Sequence, residues 1–279
     1  MKIIPILFSP FKADGGSMFG ITPKKSWENY YPSDENNLCK WALNSLLIDD
    51  GKNIVLIDNG FGNSDQQILK DYKVENFKQA KDIIAGYNYT IEQVTHVILT
   101  HLHIDHCGGS FLQNFSNNLE PTFPNAKYII SKNQFDTAGN PSEFEKDSFQ
   151  PVVISAFSKM KNIQFVEKNG YLFYWLELRI FDGHTNGLII PIIHTSKTSI
   201  VFTGDLIPSL AHLVLQSIMA YDIDPVLSLS ERNQFLNEAC EKKYILFFQH
   251  DFYHVCCNLK KENSRIVPAE IFQFSGIIY

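Results

Sequence analysis

Residues 100–109, THLHIDHCGG, hold three of the chain's nine histidines and one aspartate within six positions. Neutral imidazole nitrogen and ionised carboxylate oxygen are ligands for Zn²⁺ and similar divalent ions. The spacing suggests how they would act. At the end of an extended strand alternate side chains project to one side, so His101 and His103 can grip one ion. Gly108 and Gly109 then free the backbone to turn, which lets Asp105 and His106 face a second ion. Four ligands cannot close two coordination shells, so the reading requires more His or Asp downstream. Three occur, each just past a predicted strand: His184 in RIFDGHTNG, Asp205 in SIVFTGDL and His250 in YILFFQHD. Polar side chains just beyond buried strands are how α/β folds build sites along one sheet edge.

The elements that must position these residues can be read around them. HVILT, residues 96–100, is a short apolar run expected of a buried strand. Residues 43–48 and 54–57 flank Asp50-Gly51 and predict a β-hairpin. A strand is expected at 126–131, and helical segments at 65–72 and 76–87. In the second half strands are expected at 176–181, 188–194, 199–203 and 244–249. The segment 224–243 reads as a helix, with Pro225 near its start. No Gly/Ser/Pro-rich linker separates the halves. The expectation is one α/β domain over residues 1–279, built of two similar halves.

Composition narrows the function. With 44% hydrophobic residues in 279, the chain can bury a sizeable core. Lys+Arg 24 against Asp+Glu 30 leaves a net charge of −6, which argues against a nucleic-acid partner. No apolar stretch of about 18 residues is present to span a membrane, and the N-terminal run broken by Pro5 and Pro10 does not read as a signal peptide. Five cysteines without framework spacing read as reduced thiols in a cytoplasmic protein.

The ordered set His101-x-His103-x-Asp105-His106, then His184, Asp205 and His250, closely resembles the metallo-β-lactamase superfamily. The resemblance implies an αββα sandwich with a dinuclear metal site at the sheet edge. Residue by residue it makes His101, His103 and His184 ligands of a first metal. It makes Asp105, His106 and His250 ligands of a second, with Asp205 bridging. VLIDNG resembles the family's early strand motif, making Asp58 the residue that orients a ligand histidine. The implied cofactors are two divalent ions, zinc foremost, with Mn, Co or Fe compatible with the same ligands. The implied reaction is hydrolysis by a metal-bridging hydroxide, with Asp105 and Asp205 orienting it and one of them carrying a proton to the leaving group.

Within the superfamily the commonest β-lactamases carry Cys where this chain has Asp205, which disfavours antibiotic hydrolysis. DGGSMFGITPKKSW (14–27) and GDLIPSLAHLVLQSIMAYD (204–222) resemble the quorum-quenching lactonases and methyl-parathion-hydrolase-like enzymes. One lactonase group has Tyr three residues after the bridging Asp; here that position is Pro208. The implied substrate is a small lactone, ester or phosphotriester. The alternatives are a glyoxalase II-type thioesterase, or a metal-binding module or redox protein with little hydrolytic turnover. Phe19, His212 and Tyr221 are candidates for the substrate pocket, whereas His96, His194, His254 and Cys107 are read as structural. The branch resemblance is compatible with a homodimer.

Overall fold

Two seven-stranded sheets and one two-stranded ribbon are present among the described residues, which are 1–63, 66–114, 118–274 and 277–278 of this computed structural model. The strands of the first part of the chain are β1 (Lys2–Asp14), β2 (Leu38–Asp49), β3 (Ile54–Ile57), β4 (His96–Ile98), β5 (Phe111–Gln113), β6 (Leu119–Pro121), β7 (Lys127–Ser131) and β8 (Ile163–Val166). Those of the second part are β9 (Gly170–Phe173), β10 (Leu176–Phe181), β11 (Leu188–His194), β12 (Ser199–Phe202), β13 (Ile245–Phe247), β14 (Cys256–Glu262), β15 (Arg265–Phe272) and β16 (Ile277–Ile278). The helices are α1 (Gly15–Phe19), α2 (Lys24–Trp27), α3 (Gln66–Asp71), α4 (Ala80–Ala85), α5 (Ile104–Cys107), α6 (Lys132–Gly139), α7 (Pro151–Phe157), α8 (Leu210–Leu215) and α9 (Pro225–Glu241). Asp65, where a helix was expected to begin, lies outside the described residues.

The chain divides into two compact units. Met1–Phe11 and Leu43–Glu167, with the C-terminal strand, form the first. Its sheet has the order β16-β1-β2-β3-β4-β7-β8. The expected hairpin is β2–β3, antiparallel from Leu46↔Ile57 to Asp49↔Ile54, with Gly51 at φ 88° in the turn. From β3 onward the strands run parallel. Val55, Leu56, Ile57, Val97 and Ile98 are wholly buried, as parallel strands require. Each such side chain contributes roughly 1.5–3 kcal/mol by leaving water. The carboxyl end of β4 therefore delivers residues 99–106 to the edge of a rigid, buried sheet.

Lys12–Ala42 and Lys168–Phe274 form the second unit. Its sheet has the order β15-β14-β13-β12-β11-β10-β9, with β12 and β13 parallel. Leu188, Ile190 and Ile192 project from one face of β11 into a core shared with Val201, Leu246 and Phe248. α9 supplies Phe235, Leu236 and Ala239 to that core. The helix starts where the sequence predicts: the Asp224 side chain accepts from Leu227 N at 2.9 Å, and Pro225 occupies the first turn. β12 and β13 point their carboxyl ends the same way, carrying the segments that hold Asp205 and His250.

Several elements were not expected, among them β1, β14 and β15. β1 is a 13-residue strand despite Pro5 and Pro10. The β14–β15 hairpin turns through Asn263 and Ser264, both at positive φ.

Candidate metal centre

In the first unit the backbone turns away from the strand ladder at Thr100. Its N–H donates to Asp58 Oδ1 and its hydroxyl to Asp58 Oδ2, each at 2.7 Å. Asp58 itself sits at φ 54°, a left-handed conformation that Asp tolerates better than most residues. The same carboxylate accepts from His106 Nδ1 at 3.0 Å. Because the Thr100 hydroxyl donates to Asp58, its oxygen accepts from His101 Nδ1 at 3.0 Å. His101 and His106 are thus held through Nδ1 and carry a lone pair on Nε2. His103 is held the other way. Its Nε2 donates to Glu145 Oε1 at 3.1 Å, leaving the lone pair on Nδ1. That Nδ1 lies 3.0 Å from His101 Nε2.

The turn that achieves this needs its glycines. α5 is one turn long, and Gly109 N donates to Gly60 O at 2.9 Å. A Cβ on Gly109 would stand 2.3 Å from Asn59 O, so residues 108–109 can approach 59–62 only without side chains. Asp105 is half-buried, its Oδ2 3.5 Å from His106 Nε2.

The second unit presents His184, Asp205 and His250, all buried. His184 Nδ1 donates to Asp222 Oδ1 at 2.7 Å. The turn before it is fixed by the Glu231 carboxylate, which accepts from Asp182 N and Gly183 N at 2.9 Å each. His250 Nδ1 donates to the Ala42 carbonyl at 2.9 Å, and its backbone N–H to Pro208 O at 3.0 Å. Asp205 follows Gly204, which turns at φ 46°. The Asp205 carboxylate places Oδ2 3.2 Å from His184 Nε2 and Oδ1 2.9 Å from His250 Nε2.

These contacts share one electrostatic feature. A hydroxyl, carboxylate or carbonyl oxygen claims the proton of one ring nitrogen, and the other nitrogen then faces a second acceptor. His101 Nε2 opposes His103 Nδ1, and both Asp205 oxygens oppose imidazole lone pairs. Lone pairs about 3 Å apart repel unless a proton or a cation lies between them. Neutral histidines with fixed tautomers beside ionised carboxylates are the donor set of divalent metals, so the residues fit the metal that the sequence motif implies.

Several supporting residues were not predicted. Glu145, Asp222 and the Ala42 carbonyl hold candidate ligand histidines from 42, 38 and 208 positions away, so spacing carried no signal for them. Two residues expected at a substrate pocket are instead packed inside the second unit. Phe19 is wholly buried, stacked on Trp27 at 5.1 Å and on His212 at 4.8 Å between ring centroids. His212 is also wholly buried, donating from Nε2 to Met18 O and accepting at Nδ1 from the Ser209 hydroxyl, both at 2.7 Å. Burial, reinforced by the Arg232 charge, lowers its pKa to about 3. Neither side chain offers surface to a ligand. Tyr221 is half-buried beside Asp222. His194 is engaged by Ser199 and Glu177, and the Cys107 thiol, pushed up by burial, reaches the Leu102 carbonyl.

The model of the metallo-beta-lactamase superfamily matches residues 41–250, three-quarters of the chain and a span that includes every candidate ligand above. The chain belongs to the metallo-beta-lactamase superfamily. Among curated relatives, the N-acyl homoserine lactonase AiiA of Bacillus thuringiensis subsp. kurstaki is 24% identical over 249 residues, 84% of this chain and 88% of that protein. An N-acyl homoserine lactonase of Bacillus cereus is 22% identical over 233 residues, 79% of this chain and 84% of that protein. Among solved structures, a probable metal-dependent hydrolase from Staphylococcus aureus superposes with TM-score 0.85 at 24% identity, over 97% of this chain and 98% of that one. The dizinc quorum-quenching lactonase AidC, with a product N-hexanoyl-L-homoserine, gives TM-score 0.78 at 18% identity, over 97% and 95% of the two chains. The structural matches show the fold: an αββα sandwich of the superfamily. Superfamily membership places the chain among metal-binding hydrolases.

Proposed function

We propose that the chain is a dinuclear metal-dependent hydrolase acting on a small lactone or a related ester. The supporting observation is the set of opposed lone pairs, two in the first unit and two on Asp205, which a pair of divalent cations would convert from repulsion into coordination. His101, His103 and His184 would hold one ion. Asp105, His106 and His250 would hold the other, and Asp205 would serve both, as the ordered sequence motif implies. Two such ions supply Lewis acidity that polarises the substrate carbonyl and makes water nucleophilic near neutral pH. The chain's own part is then positioning and proton traffic. Asp58, Asp222 and the Ala42 carbonyl fix three imidazole tautomers. Asp105, with its side chain 22% exposed against 9% for Asp205, is the carboxylate open to solvent. It suits the role of passing a proton to the departing alkoxide.

Lactonase relatives spanning most of the chain favour acyl-homoserine lactones as the first substrates to try. Pro208 favours a second reading, an aryl phosphotriester. It is buried, spends its carbonyl on His250 N, and offers no hydroxyl to a carbonyl substrate. The test uses protein of measured metal content, assayed on a long-chain acyl-homoserine lactone and on an aryl phosphotriester, with and without chelator. The expected result is two metals per chain and chelator-sensitive turnover of one substrate, abolished by Asp205→Asn together with loss of a metal. Asp205→Asn protein with full metal content and full rate would refute the assignment.

A further inference from the structure

Four of the five ligand histidines are held through Nδ1, by Thr100, Asp58, Asp222 and the Ala42 carbonyl. His103 differs. It stands at the N-terminal cap position of α5, and Nδ1 is the nitrogen that faces His101. A neutral imidazole can carry its proton on either nitrogen, so something must keep the proton off Nδ1. From these contacts we infer that Glu145 is the positioning residue that does so, making His103 a ligand through Nδ1. The inference rests on the metal-site reading above and names a determinant of that site which no motif marks.

The geometry is built for the purpose. Glu145 Oε1 accepts from His103 Nε2 at 3.1 Å, with the two side chains 3% and 7% exposed. A carboxylate this buried is stable only against a donor, so the pair favours the Nε2–H form. The carboxylate is aimed by its own loop: Glu145 N donates to the Ser142 carbonyl at 3.2 Å and to its hydroxyl at 3.3 Å. Four residues on, Phe149 packs edge-on against the His103 ring, centroids 5.1 Å apart. That contact restricts the ring flip that would exchange the two nitrogens.

The experiment is zinc titration of the full chain against a chromophoric chelator, for the wild type, Glu145→Ala and Glu145→Gln. Removing an outer partner of a ligand histidine typically weakens metal binding about 10–100-fold. Glu145→Ala is expected to weaken one of the two zincs by that factor and leave the other near its wild-type affinity. Glu145→Gln, which keeps an acceptor oxygen, is expected to restore most of the loss. Wild-type affinities at both sites in Glu145→Ala would overturn the inference. A direct readout needs no variant: long-range ¹H–¹⁵N spectra of the zinc-loaded wild type should show His103 protonated at Nε2 and metal-shifted at Nδ1. The reverse pattern would overturn the assignment while leaving the metal site intact. Wild-type protein that binds no zinc would instead overturn the metal-site reading itself.

Discussion

His212 is the most sharply testable residue outside the ligand set. It is wholly buried, with a pKa lowered to about 3 from an ordinary 6.5. The first cause is burial and the second is the Arg232 charge. A base whose folded pKa is depressed binds its proton in the unfolded state first. Its linkage term therefore leaves stability intact above pH 6.5 and removes it as pH falls toward 3. Between about pH 7.5 and 4.5 the loss from this one group integrates to roughly 2–3 kcal/mol, because each pH unit below the unfolded pKa approaches the full linkage slope.

Other histidines and carboxylates titrate in the same range, so the wild-type curve alone does not isolate His212. The comparison with His212→Gln does. The variant gives up the ring stacked on Phe19, worth about 0.5–1.5 kcal/mol, and is expected to be less stable at neutral pH. It also gives up the proton linkage. The gap between the two proteins should therefore narrow, then reverse, as pH falls. Urea denaturation at several pH values, in metal-free buffer, measures both curves. Parallel curves from pH 7.5 down to about 4.5 would refute the reasoning, because they would mean that His212 takes up protons equally in both states.

Two further substitutions probe the scaffold of the site. Gly109→Ala sets a methyl 2.3 Å from the Asn59 carbonyl and should cost about 1–3 kcal/mol in urea denaturation, with weaker zinc binding because the α5 turn must shift. Arg232 is buried and donates to Leu206 O at 2.8 Å and to Ser217 O at 2.5 Å, on either side of α8. Burial lowers its pKa to about 10, so it stays charged at neutral pH. Arg232→Met, of similar reach but without donors, should lose about 2 kcal/mol or more for the two abandoned carbonyls. Unchanged denaturation midpoints in either variant would contradict these assignments.

What was legible in the sequence is whatever is local. The β2–β3 hairpin announces itself by two apolar runs around Asp50-Gly51, and α9 by Asp224 and Pro225 ahead of its first turn. The strand bounds came out short where ligands begin. β4 ends at Ile98, not Thr100, because Thr100 N leaves the ladder for Asp58. β1 was missed because Pro5 and Pro10 lack the N–H that a strand interior normally uses. β14 and β15 were missed because NLKKENSRIVPAEIF has no apolar alternation: most of the pair is exposed or half-buried. Their turn residues, Asn263-Ser264, were the readable sign.

The same divide runs through the site. The candidate ligands from His101 to His106 cluster in the sequence because a strand end and its following turn deliver them together, and the ordered motif made them visible. Their anchors are single carboxylates on distant segments. Glu145 lies in an ordinary polar loop, and Asp222 closes a stretch whose likeness to a lactonase segment gave it no role of its own. A lone acidic residue in a chain with 30 of them carries no mark of being buried. Burial is what gives each its function, since in water a carboxylate would only weakly bias a tautomer. Against a dry imidazole edge it decides which nitrogen carries the proton. The candidate ligand set was therefore readable from residue types, whereas the hydrogen bonds that hold it required knowing which carboxylates the fold takes out of water.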